Sequence, residues 1–74
     1  MMKEKVMQCL AETLEKDVKQ LDEEMVLADF FEWDSLASIF FASLIQEKTG
    51  KKLSVSDIWH CEYVYELVDL VEEK

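Results

Sequence analysis

Apolar positions return at helical spacing over several stretches of the chain and lose that rhythm between them. From roughly Lys3 to Lys16, Val6, Leu10 and Leu14 recur every four residues, with Cys9 close to the same stripe and Met2 or Met7 beside it. Acids and lysines fill the other positions, which predicts a half-buried helix. The segment "DVKQLDEEMVLADFFEWD", residues 17–34, then breaks the rhythm and reads as a long connection. Val18, Leu21, Met25, Leu27 and Phe30 or Phe31 are expected to tack it onto the core, with a helical turn at "LDEEM".

A second helix is expected from Asp34 or Ser35 to Gly50. Asp34 is a good N-cap whose charge complements the positive helix end, although no Glu or Gln completes a capping box. Gly50 within "KTGKK" supplies a left-handed stop, with lysines near the negative end. A short third helix falls within "SVSDIWHC", capped by Ser54 or Ser56. Val64, Leu67 and Leu70 or Val71 then mark a last helix. The layout is an all-α, small four-helix bundle with a long loop between helices 1 and 2 and a short helix 3.

Composition agrees. Seventy-four residues make one small domain, 1–74, and half of them are hydrophobic, so a core can form despite the charge. The absence of proline and the single glycine oppose a turn-rich β protein. A net charge of -9 argues against nucleic acid and against anionic membrane surfaces as partners. No apolar run approaches membrane-spanning length and the first residues do not read as a signal peptide, so no membrane insertion and a cytoplasmic location are expected.

The charge is uneven. Residues 12–34 hold nine acids against Lys16 and Lys19, whereas residues 35–55 carry Glu47 against Lys48, Lys51 and Lys52. Cys9 and Cys61 lack metal-site spacing and are expected as reduced thiols, and no metal site is expected elsewhere. His60 beside Cys61 is too few ligands for zinc and no evident catalytic pair. The acidic run "LDEEM" lacks the spacing of a calcium-binding loop.

Asp34-Ser35 at the head of an apolar helix carries the candidate chemistry. A hydroxyl in the first turn points toward unpaired backbone N–H groups at the positive end of the helix dipole. Ser35 has no neighbouring His or Lys in sequence to act as a base, so it reads as a substrate for another enzyme rather than a self-activated nucleophile.

These features converge on a family. "WDSL" opening the second helix, its end at "KTG" followed by "KLSVSDIW", and a final "VYELVDLV" resemble an acyl carrier protein over nearly the whole chain. The key motif is Asp34-Ser35-Leu36. The resemblance implies that Ser35 receives a 4'-phosphopantetheine arm from coenzyme A by the action of a phosphopantetheinyl transferase. The arm's thiol carries acyl or aminoacyl groups as thioesters between loading and biosynthetic enzymes. Asp34 matches the acid that helps hold magnesium during transfer, and Leu36 the apolar docking residue next to the arm. The chain is then a carrier, not an enzyme, and a monomer. It would serve a specialised fatty acid, polyketide or related pathway.

Three positions depart from the family. Glu32 stands where glycine is common, so the turn must use a non-glycine conformation. Trp33 either shields the base of the arm, as part of a docking surface, or anchors the loop on the core. Phe40 stands where an acid is common on the exposed face of the second helix. At roughly 100° per residue, Leu36, Phe40 and Ser43 share one face with Ile39 near it, while Phe41, Ala42, Leu44 and Ile45 face the core. Leu36, Ile39 and Phe40 are therefore expected as an apolar docking strip, against the alternative that Phe40 is buried. Trp59 anchors the short helix or lines the mouth of an acyl cavity, with Met25. Two other functions compete: a peptidyl or aminoacyl carrier, and an unmodified helical interaction module in which Asp34-Ser35 only caps the helix.

Overall fold

The computed structural model describes residues 2–74, among which four α-helices form: α1 (Lys3–Leu14), α2 (Ser35–Thr49), α3 (Val55–Trp59) and α4 (Val64–Glu73). α1 packs on α2 and α4, and short α3 closes against α2 and α4. Val6, Leu10 and Leu14 of α1 meet Phe41 and Ile45 of α2, Ile58 of α3 and Val64, Leu67 and Val71 of α4 in one buried core. Among the described residues no helix is long and apolar enough to cross a membrane.

α1 stops two residues short of the expected Lys16. Glu15 turns into the left-handed region at φ 56°, and the N–H of Lys16 donates back to the Ala11 carbonyl at 2.9 Å. That closes the helix as glycine would, using a residue with no special tolerance for the conformation. α2 keeps its expected ends: Asp34 Oδ1 accepts from the Ala37 N–H at 2.8 Å, and Gly50 takes φ 78°. Ser54, one of the two expected caps, accepts from Asp57 N–H to start α3. α4 is capped by Glu66, whose Oε1 accepts from the N–H groups of Tyr63 and Glu62 at 3.1 and 3.2 Å. At its other end Lys51 Nζ donates to the Val71 carbonyl at 2.9 Å.

The long connection differs from expectation in its details. "LDEEM" forms no helical turn; Asp22 instead closes a tight turn, its carbonyl accepting from Met25 N–H and its side chain from Glu24 N–H. Short 3₁₀ turns form to either side, at Val18–Gln20 and Leu27–Asp29. Asp17 starts the first by accepting from Lys19 N–H. Leu27 is the buried anchor, Leu21 and Phe30 are partly buried, and Val18 and Met25 are more than a third exposed. Phe31 points fully into solvent.

The loop is pinned by backbone rather than by a stripe of side chains. Leu27 N–H donates to Glu62 O, Val64 N–H to Met25 O and Tyr65 N–H to Glu23 O, all within 3.0 Å, around an antiparallel bridge between Val26 and Tyr63. These bonds hold the loop against the α3–α4 junction, and Lys3 adds an ion pair to Glu23. The end of the loop is thereby fixed where α2 begins.

Candidate functional site

Asp34, Ser35 and Leu36 stand together at the head of α2, all three exposed. Asp34 has extended backbone and spends one carboxylate oxygen on the Ala37 N–H, while its carbonyl accepts from Ser38 N–H at 3.1 Å. The cap is therefore Asp34's work, and the N–H groups of Ser35 and Leu36 stay outside it at the positive end of the helix. Ser35 Oγ makes no hydrogen bond among the described residues. Its carbonyl is held by Ser38, a fully buried serine whose Oγ donates to it at 2.7 Å. Ser38 drew no attention in the sequence; an isolated serine on an apolar helix has no pattern to mark it.

The preceding turn does without glycine. Among the described residues only Glu15 combines a side chain with positive φ, so Glu32 sits in ordinary backbone. Glu32 pairs with Lys16 at 3.3 Å. Its carboxyl lies below the usual carboxylate range, first because a backbone N–H of its own residue bonds the charged form, then because of Lys16.

Trp33 is 8 % exposed and meets Phe41 edge to face at 6.1 Å. Of its two expected roles this burial favours the anchor. Little of the ring reaches solvent, and what does lines the cleft described below. The other three candidates are outside. Leu36, Ile39 and Phe40 are 74, 52 and 50 % exposed and lie one helical turn apart on one face. The core side of α2 is taken by Ala37, Ser38, Phe41, Leu44 and Ile45. From Ser35 to Gln46 the helix has no charged residue. A stretch apolar all round is ordinarily enclosed, whereas this one leaves Leu36, Ile39 and Phe40 half or more in water. Beyond Gln46, Lys48 pairs with Glu12 at 3.9 Å and Lys51 bonds the end of α4.

An open cleft of about 370 Å³ lies where the loop meets the α3–α4 junction. Leu27, Ala28, Trp33, Trp59 and Cys61 are among the residues that line it, and Trp59 is half exposed at its edge. Met25, expected with Trp59, is not among the lining residues. His60 Nδ1 lies 2.7 Å from the Ser56 carbonyl and Cys61 Sγ 3.5 Å from that of Asp57, so each is engaged with its own backbone rather than with the other. Burial, with Glu66 and Asp57 adding to it, pushes the Cys61 thiol up to about 11, and burial likewise raises Cys9. At pH 8 about one Cys61 in a thousand is then a thiolate, against roughly a quarter of free cysteines. Alkylation by iodoacetamide at pH 8 should accordingly run about a hundredfold slower in the folded chain than in the chain unfolded by denaturant. Equal rates would contradict the environment described for both thiols.

The residues present fit a covalently attached phosphate-linked group. The hydroxyl is exposed and uncommitted, the first-turn N–H groups are available beside it, and capping does not depend on it. Comparison with curated proteins and with solved structures finds no match. Residues 4–71 match the family model described as the phosphopantetheine attachment site. With nearly its whole length matched, the chain belongs to the phosphopantetheine attachment site family, carrier proteins whose cofactor is a covalently bound 4'-phosphopantetheine.

Proposed function

We propose that Ser35 is the residue that takes the arm, and that the chain is an acyl carrier serving a specialised fatty acid, polyketide or related pathway. The observation that carries this is the division of labour at the head of α2: Asp34 has the cap, which leaves the exposed Ser35 hydroxyl with no structural duty. When bound, the arm supplies a thiol that holds an acyl or aminoacyl group as a thioester. The chain itself presents the hydroxyl, keeps it in water and offers N–H groups toward a phosphodiester. It has the part of a carrier and of a substrate for partner enzymes. Asp34, with its second carboxylate oxygen outside the cap, is the residue to assist a magnesium ion during transfer.

Leu36, Ile39 and Phe40 are the docking strip for those partners. Their exposure and the lack of charge from Ser35 to Gln46 support recognition by an apolar surface. Such a face differs from the acidic one usual among fatty acid synthesis carriers, which is why the partners are assigned to a specialised pathway. The cleft beside Trp59 is apolar enough at Leu27, Ala28 and Trp33 to receive part of a cargo.

The reading is tested by incubating the chain with coenzyme A, magnesium and a broad-specificity phosphopantetheinyl transferase and measuring intact mass. A gain of one arm per chain is expected; no gain would count against it. Within it, Phe40→Glu should lower kcat/KM of the cognate cargo-loading enzyme by about tenfold or more, as for a contact residue at the centre of an interface. An unchanged rate would remove Phe40 from the docking strip.

A further inference from the structure

The two residues that flank Ser35 both line an open groove between the end of α1 and the head of α2. Leu36, Ala37 and Phe40 supply apolar surface, and Glu12, Glu15, Glu32 and Asp34 supply carboxylates. Two lysines answer them, Lys16 at Glu32 and Lys48 at Glu12, the second at 3.9 Å between largely exposed side chains. Glu15 and Asp34 have no cationic partner among the described residues. The groove is thus net negative with apolar side chains in its lining, whereas α2 carries no charge from Ser35 to Gln46. The charge that a partner meets beside Ser35 comes from α1 and the loop.

An enzyme that delivers a group to the Ser35 hydroxyl has to cover this corner of the molecule, because Asp34 and Leu36 are its neighbours on both sides. We infer that the groove seats the transferase that loads Ser35, and that this enzyme inserts an apolar side chain flanked by lysine or arginine. The inference rests on the carrier reading above. Glu12 and Glu15 act here as rim charges: they steer and orient the partner and touch no reacting atom.

The test follows the initial rate of mass gain with coenzyme A, saturating magnesium and the broad-specificity transferase. The wild-type chain is compared with E12Q/E15Q and with E72Q/E73Q, which removes the same charge from the exposed end of α4. Both variants are first shown to melt cooperatively by circular dichroism. The groove variant should lose about fivefold in kcat/KM at low salt, carried by KM, as expected for two exposed charge contacts. The gap should close as salt is raised, and E72Q/E73Q should stay within about twofold of wild type. Equal behaviour of the two variants, or a loss confined to kcat, would overturn the inference while leaving a loaded wild type as a carrier. A raised magnesium requirement in the groove variant would give the acids to the cation and overturn it too. Absence of mass gain on wild type would remove the carrier reading and the inference together.

Discussion

Ser35→Ala is expected to abolish loading by a phosphopantetheinyl transferase altogether while leaving the fold as stable as before. The proposed attachment needs the Oγ oxygen, and no other group at this position replaces it. Stability does not need it, since the hydroxyl is exposed and makes no hydrogen bond among the described residues. Alanine is also the best helix former, so the change should fall within about 0.5 kcal/mol. Asp34→Ala separates the two duties from the other side. It removes the acceptor for the Ala37 N–H and should cost about 1 kcal/mol of stability. Intact-mass loading and urea denaturation, run on both variants, check the pair. A loaded Ser35→Ala chain would show that the arm goes elsewhere.

Phe41→Ala should be the most destabilising of the single changes considered, at about 3–5 kcal/mol, as for truncation of a fully buried aromatic. A chain of this size has roughly 4–11 kcal/mol in total, so the variant should be largely unfolded or close to it. Phe41 lies at 0 % exposure among Leu10, Leu14 and Ile45, and it also supplies the ring against which Trp33 packs. Its loss therefore loosens the last anchor of the loop just before Asp34. Phe40→Ala, one residue away on the half-exposed side, should cost about 1 kcal/mol or less. Denaturant midpoints of the two variants make the comparison. Similar losses would contradict a rotation of α2 that buries Phe41 and leaves Phe40 half exposed.

The helices and the head of α2 were legible because the residues that set them act locally. Asp34 and Gly50 bring their own cap chemistry to the two ends of α2, and helical phase alone distinguishes Phe40 from Phe41. The end of α1 was not legible in this way, since Glu15 takes a glycine-like conformation without being glycine. Nor were the loop details. Phe30 and Phe31 have no periodic phase to choose between them, and the bonds that place Leu27 run to Glu62 and the α3–α4 junction, far along the chain. The same holds for Trp33, whose burial depends on Phe41, eight residues on. The groove beside Ser35 was hidden most completely. Glu12 and Glu15 belong to another helix and become its rim only when α1 packs on α2.

The central claim, that Ser35 bears the arm, is tested most directly by fragmenting the loaded wild-type chain and locating the added mass. A single phosphopantetheine is expected on the peptide that contains Asp34-Ser35-Leu36, with the fragment series placing it on Ser35. An arm found on any other residue, or a chain that cannot be loaded, would contradict it.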